Sequence, residues 1–342
     1  TNTGINLISP SKTPMGNLQF LVFFVNTIAA VLKHESLLRA SSASAGNDLR
    51  LGLNEAPAAL LSIFIGEHLT QVLEELEKVS KGKLSPQEKT DLKLNVIGKI
   101  PEILLDNTDS DRTSPFAFTG NKFEFRSVGS KDNSAKATTV LNAIVAEQLF
   151  QFREGVASLI ESKDMKKDDA IFNVLREVII NIKDFLSTNA NNQKKKSKIK
   201  TSTTMESKVA PEALSAFVSK SSISLFEDLE IFSAAELEMR YQVDLQSYIS
   251  KTQIESRTLG DMALNHVIPT AIQYQNTLIE NVRGFKEVYG QSFKKHTQEQ
   301  MALLEQISEH LAAINQGVVD MVDARKKANI KDDLKEKALL YA

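Results

Sequence analysis

The chain has 342 residues, 42% of them hydrophobic, with 41 basic against 43 acidic side chains and no cysteine. That length exceeds what one core usually holds, so two domains, or a domain with a helical extension, are expected. The balanced charge gives no pull toward nucleic acid or an anionic membrane, and neither is expected as a partner. Lack of cysteine excludes disulfides, thiolate zinc sites and cysteine nucleophiles, and fits a reducing, cytoplasmic setting.

The elements follow in chain order. Pro14 to Arg39 reads as one helix, with Leu21, Phe24, Ile28, Val31 and Leu32 on a stripe. Its apolar run, Leu18 to Leu32, is interrupted by Gln19, Asn26 and Thr27; a buried helix is expected there rather than a membrane span. The small residues from Ala40 to Gly46 carry no period and read as a loop. After Pro57 a second helix is expected to about Lys78, burying Leu61, Phe64, Ile65, Leu69, Val72, Leu73 and Leu76. Pro101 and the stretch from Asp106 to Pro115 surround another loop, and a helix is expected from Thr138 to about Ile160.

The segment Thr119-Gly-Asn-Lys-Phe-Glu-Phe-Arg126 reads as a strand. With period two, Lys122, Glu124 and Arg126 share one face and Phe123 and Phe125 the other, each step being about 7 Å. A row of plus, minus, plus suits an anion-plus-metal site. It equally suits the solvated face of a half-exposed sheet, which is the more ordinary arrangement.

The stretch from Ser187 to Thr204 is polar and crowded with Lys194, Lys195, Lys196, Lys198 and Lys200. It lacks the interleaved aromatics of a nucleic-acid site and reads as a solvated loop. From Ser233 onward the chain is expected to be nearly all helix, opened by a capping box of Ser233 and Glu236. Leu237, Tyr241, Leu245 and Tyr248 follow at helical spacing, and Pro269 should kink or divide its helix. Leu304, Ile307, Leu311, Ile314, Val318 and Met321 form a short heptad seam suited to an antiparallel bundle.

Two loops carry isolated charges. Arg50 and Glu55 flank Gly52 between helices, as either a substrate loop or a capped connection. Arg112 lies in Asp109-Ser-Asp-Arg-Thr-Ser-Pro115, where turn chemistry accounts for Asp, Ser and Pro but not for the arginine. Glu255, Arg257 and Arg283 fall on helices and read as structural pairs. The five histidines show no mutual metal-ligand spacing, and no P-loop, dinucleotide fingerprint or nucleophile elbow is present.

Several motifs are more particular. Thr3-Gly-Ile-Asn-Leu7, Leu38-Arg-Ala-Ser-Ser-Ala-Ser-Ala-Gly-Asn-Asp48, Arg50-Leu-Gly-Leu-Asn-Glu-Ala-Pro57 and Phe118-Thr-Gly-Asn-Lys-Phe-Glu-Phe-Arg126 closely resemble type III glutamine synthetases. So do Gln253-Ile-Glu-Ser-Arg257, Asn265-His-Val-Ile-Pro-Thr-Ala271 and Tyr274-Gln-Asn-Thr-Leu-Ile-Glu-Asn-Val-Arg-Gly284. The matches keep family order over essentially the whole chain.

The resemblance implies an ATP-dependent condensation of glutamate with ammonia through γ-glutamyl phosphate. It implies Mg2+ or Mn2+ at a bimetal site, and a homo-oligomer of stacked hexameric rings. Among its residues, Arg50 would grip the substrate glutamate, Glu55 would be the flap carboxylate, and Arg112 would stabilise the transferring phosphoryl group. Lys122 would lie near the nucleotide, Glu124 would be a metal ligand, and Arg126 would bind phosphate and substrate. These types suit phosphoryl transfer, in which cations surround spreading negative charge and a lid excludes water from an acyl phosphate. Leu49 stands where the family commonly has a histidine, and Leu53 where a smaller residue is usual.

The fold expected on this resemblance is α+β. Residues 1–186 would be the C-terminal part of a glutamine synthetase catalytic domain, an antiparallel sheet with helices. Residues 187–204 would be the lysine-rich loop, and 205–342 a mostly helical bundle extension. The chain begins at Thr1 rather than Met, and the family's β-grasp domain and most metal and ATP ligands are expected upstream of it. The fragment alone is therefore expected to be inactive. The alternatives are a non-catalytic relative or helical oligomerisation module, and a ligase making a different γ-glutamyl amide.

Overall fold

The computed structural model describes residues 4–11, 13–47, 63–78, 116–126, 133–182, 186–187 and 209–342. The chain divides into two compact units, Thr1–Tyr241 and Gln242–Ala342. The division falls within one helix, later than the 204/205 boundary read from the sequence.

The first unit is built on helix α1 (Pro14–Lys33), whose start has Pro14 in the first turn and Thr13 as cap, accepting from Gly16 N–H. Phe20, Leu21, Phe24, Val25, Ile28 and Val31 are all buried. A stretch of α1, Gly16–Lys33, is long and apolar enough to cross a membrane by length and composition, yet 67% of it is buried inside the fold. Its polar interruptions are accommodated within that burial. Asn26 donates to Val22 O at 2.8 Å and accepts from Gln148 Nε2 at 3.1 Å, and Thr27 donates to Phe23 O at 2.7 Å. Gln19 faces solvent. Helices α4 (Ala135–Lys163) and α5 (Lys167–Ile182) pack on α1 and on each other, and α3 (Glu67–Lys78) packs on α5.

The helix expected to run unbroken to Arg39 stops at His34, and α2 (Glu35–Ala40) begins after it. A tertiary contact lies at the break. His34 is buried and its Nε2 lies 2.6 Å from Glu147 Oε2 on α4, while Lys33 Nζ reaches the same oxygen at 3.0 Å. Burial pushes the Glu147 carboxyl up, but the hydrogen bonds from Lys33 and His34 outweigh it and hold the group below the ordinary carboxylate range. Replacing Glu147 with Ala strands a buried imidazole. The expected cost is about 1–3 kcal/mol, read as a lower urea midpoint at unchanged m-value.

Strands β1 (Ile63–Phe64), β2 (Phe116–Phe118), β3 (Phe123–Phe125) and β4 (Leu186–Ser187) form a sheet in the order β3-β2-β1-β4. Two expectations are corrected here. The sheet is mixed rather than antiparallel: β1 runs parallel to both β2 and β4, and only β2 and β3 are antiparallel. Parallel neighbours need long crossovers, and the chain from β1 to β2 and from β1 to β4 is long enough to supply them. Ile63 and Phe64, expected in a helix, are instead the buried central strand. The helix starts only after Gly66, whose φ of 79° turns the chain out of the strand.

Short helices α6 (Ala210–Leu214) and α7 (Lys220–Asp228) close the first unit, α6 against α2 and α7 against α4. Helix α8 (Ala234–Met262) opens with the expected capping box: Ser233 N donates to Glu236 Oε2 at 2.9 Å, and Glu236 N to Ser233 Oγ at 3.4 Å. Leu237, Tyr241, Leu245 and Tyr248 are buried as their spacing predicts.

In the second unit, α8 passes through a π-helical turn, Ala263–Val267, into α9 (Ile268–Tyr289). Pro269 lies just beyond that turn. Its missing N–H and its ring cannot fit regular α geometry, and the wider turn absorbs the misfit. A single-turn helix, α10 (Phe293–His296), leads to α11 (Gln298–Asn329), and α12 (Leu334–Tyr341) packs back on α11. Leu304, Ile307, Leu311, Ile314, Val318 and Met321 are all half-buried, as the seam requires, and α11 packs along α9. Within the seam Gln275 Nε2 donates to Ser308 Oγ at 2.8 Å.

Candidate functional site

The charged row sits on the second strand of a hairpin, which corrects the single strand expected from Thr119 to Arg126. Residues 116–118 and 123–125 are the strands, and Thr119 to Lys122 is the turn, closed by Thr119 N–H donating to Lys122 O at 3.0 Å. Gly120 has φ of 91°, a conformation that any Cβ would strain. Asn6 Nδ2 donates to Asn121 O at 2.7 Å, so the N-terminal segment braces the turn from outside.

The two faces of β3 separate as its alternation requires. Phe123 stacks on Phe24 of α1 at 5.4 Å and on Phe116 at 5.1 Å, and Phe118 meets Phe24 edge-on at 4.9 Å. Phe125 lies near Phe116, with ring centroids 6.4 Å apart. With that face tied to α1, Lys122, Glu124 and Arg126 take the other. Glu124 pairs across the hairpin with Ala117, which is buried.

Glu124 ties the row together. Its Oε1 lies 3.1 Å from Lys122 Nζ and its Oε2 lies 3.0 Å from Arg126 Nη2, with a second Arg126 bond from Nε at 3.3 Å. The Arg126 hydrogen bond, followed by that of Lys122, holds the Glu124 carboxyl below its ordinary range. Lys122 and Arg126 bring two cations to this half-exposed face, on either side of Glu124. Chemically the face can receive an anion, and arginine's fixed fork favours carboxylate or phosphate oxygens.

A divalent metal is a different matter. Both Glu124 oxygens are engaged by cations, and among the described residues no group of three His, Asp or Glu side chains could hold a metal ion. Octahedral Mg2+ needs several oxygen donors. The described residues therefore do not by themselves fit a resident metal.

The structure brings together Lys122, Glu124 and Arg126. The other expected site residues, Arg50, Glu55 and Arg112, lie outside the described residues, as do Leu49, Leu53 and the lysine-rich stretch 188–204. Sequence reasoning missed the His34, Glu147 and Lys33 cluster. Its partners are 113 and 114 residues apart, and no local spacing announces them. The structural pairs expected at Glu255, Arg257 and Arg283 do not form: among the described residues none of these three has an ion pair within 4 Å. All three are exposed on their helices, where solvated side chains gain little from pairing.

Residues 170–286, from α5 into α9, match the family model for the glutamine synthetase C-terminal domain. The whole chain is 46% identical over 345 residues to a glutamine synthetase of Bacteroides fragilis (strain YCH46), covering 47% of that protein. It is 34% identical over 328 residues to a type-3 glutamine synthetase of Dictyostelium discoideum, covering 96% of this chain and 43% of that protein. A glutamine synthetase of Butyrivibrio fibrisolvens is 33% identical over 82% of this chain. The chain belongs to the glutamine synthetase family, and it spans about half the length of the curated relatives it matches.

Proposed function

We propose that the whole protein to which this chain contributes is an ATP-dependent glutamate–ammonia ligase. It activates the glutamate γ-carboxylate as an acyl phosphate and releases phosphate when ammonia attacks. The observation that carries this reading is identity of 46% along the entire chain to a glutamine synthetase. The cationic face of β3 agrees with it.

In this reading Arg126 binds phosphate and substrate oxygens, Lys122 lies near the nucleotide, and Arg50 holds the glutamate. Arg112 offsets charge on the phosphoryl group in flight, and Glu55 closes over the intermediate to exclude water. Mg2+ or Mn2+ would supply further positive charge at the phosphates, and Glu124 would give one donor of a set completed elsewhere in the whole protein. The fold is then the C-terminal part of the family's catalytic domain with a helical extension, working in the cytoplasm as a homo-oligomer of stacked hexameric rings. Exposed Ile254, Leu259, Met262, Val267 and Ile272 on α8, the π-helical turn and α9 support burial against further subunits.

The test is product analysis. The full-length protein with glutamate, ammonia, ATP and Mg2+ should yield glutamine, ADP and phosphate in equal amounts. Preference for methylamine over ammonia would indicate a different γ-glutamyl amide ligase. Residues 1–342 alone should form no glutamine, because one carboxylate cannot hold the metals. Turnover by this piece would refute that account.

A further inference from the structure

We propose that Glu147 is a positioning residue for the glutamate substrate, acting through His34 to fix the joint from which the chain runs on to Arg50. That role rests on the function proposed above, in which Arg50 holds the glutamate.

The joint is a change of direction at one residue. His34 has φ of −113° and ψ of 31°, with α1 ending before it and α2 beginning after it. Helical hydrogen bonds persist on both sides: His34 N–H donates to Ala30 O and Leu38 N–H to His34 O, each at 3.0 Å. The side chain is what sets this residue apart. It is buried, and its Nε2 lies 2.6 Å from Glu147 Oε2, which also accepts from Lys33 Nζ at 3.0 Å. Gln151 Oε1, one turn along α4, accepts from Lys33 at 3.1 Å, and Gln148 Nε2 donates to Asn26 Oδ1 at 3.1 Å. Neighbouring residues of α4 thus hold α1 at two levels, Asn26 and the joint itself. Polar bonds of this kind add little stability over an apolar contact of equal volume, but they admit a narrow range of geometries.

Both sides of the joint lead toward the proposed chemistry. Before it, Phe24 of α1 stacks on Phe123 at 5.4 Å, so α1 holds the aromatic side of the strand that presents Lys122, Glu124 and Arg126. After it, α2 buries Leu37, Leu38 and Ala40. A tight turn follows, in which Ser42 Oγ donates to Arg39 O at 3.0 Å and Ala43 N–H to Ala40 O at 3.1 Å. The 3-10 turn Ala45–Asn47 comes next, and Arg50 stands three residues later in the sequence. The angle at His34 therefore sets where the chain departs toward Arg50 relative to the face of β3. A glutamate held by Arg50 and reacting beside Arg126 needs that relation kept, since a misplacement of about 1 Å can cost about a hundred-fold in rate.

Steady-state kinetics of full-length variants make the test. Glu147→Ala should raise the glutamate KM about ten-fold while the ATP KM stays within about two-fold. Glu147→Gln, whose amide oxygen still accepts from His34 and Lys33, should keep the parent glutamate KM. Glu147→Asp, which draws the carboxylate back by one methylene, should raise it, and carries the test if Glu147→Ala does not fold. Leu73→Ala, a truncation of a buried side chain on α3, controls for lost stability. It should lower the urea midpoint at least as far as Glu147→Ala and leave both KM values within about two-fold of the parent. An unchanged glutamate KM in Glu147→Ala and Glu147→Asp, an equal rise in the ATP KM, or the same rise in Leu73→Ala would overturn the proposal and leave the activity standing. A parent protein that forms no glutamine overturns the proposed function and the positioning role with it.

Discussion

Glu124→Gln in the full-length protein is expected to lower glutamine formation by more than about a hundred-fold, the scale on which one preorganised electrostatic group at a phosphoryl-transfer site commonly acts. The substitution keeps size and shape but removes the charge that ties Lys122 and Arg126 together at 3.1 and 3.0 Å. If Glu124 is also a metal donor, the Mg2+ concentration for half-maximal rate should rise sharply, as a neutral amide is a weak ligand for a hard cation. Unchanged rate together with unchanged Mg2+ dependence would remove Glu124 from the site and leave the row as an ordinary solvated face. The structural effect should be small, because the opposite face of β3 is held by aromatic stacking that the substitution does not touch.

The same carboxylate has a pH signature with a definite sign. Its folded-state pKa is lowered, first by the Arg126 hydrogen bond and then by that of Lys122. A lowered folded pKa means that its contribution to stability is fully present above the unfolded value. That contribution fades as pH falls through the folded value. The amide introduced by Glu124→Gln does not titrate, so the acid limbs of variant and parent should converge at low pH and separate above it.

Phe24→Ala is expected to be the most damaging core substitution in the first unit, costing about 3–5 kcal/mol. Phe24 is fully buried and its ring meets Phe20 at 5.2 Å, Phe118 at 4.9 Å and Phe123 at 5.4 Å. It thus joins α1 to both strands of the hairpin. Truncation opens a cavity where helix and hairpin meet, and among the described strands β3 has only β2 as a partner. Phe150→Ala makes the comparison. That ring is 48% exposed and lies under Arg153, so its loss should cost under about 1 kcal/mol. Equal urea midpoints for the two variants would contradict the central place given to Phe24. Since Phe123 and Glu124 are adjacent on β3, loosening the aromatic side should also disorder the charged side. Activity of Phe24→Ala should accordingly fall faster on warming than that of the parent.

Much of the site face was legible in the sequence because alternation is a local property. Once Phe123 and Phe125 pack on the aromatic cluster, Lys122, Glu124 and Arg126 have one face left, whatever else the chain does. The capping box at Ser233, the stripe on α8 and the seam on α11 are local in the same sense, resting on spacings of three and four. Pro269 announced its own disturbance, since a missing N–H acts on the turn that contains it.

What the sequence determined by itself, then, was the period of each element, the sorting of charged from apolar faces, and the family those motifs resemble. The tertiary structure decided the rest. Ile63 and Phe64 are a short apolar run that fits helix or strand equally, and only pairing with Phe116 and Leu186 made them the parallel centre of the sheet. The contact that buries His34 at the break between α1 and α2 comes from a carboxylate 113 residues away. Periodicity is fixed by neighbours along the chain, whereas pairing, burial of charge and cavities are set by residues that meet only after folding.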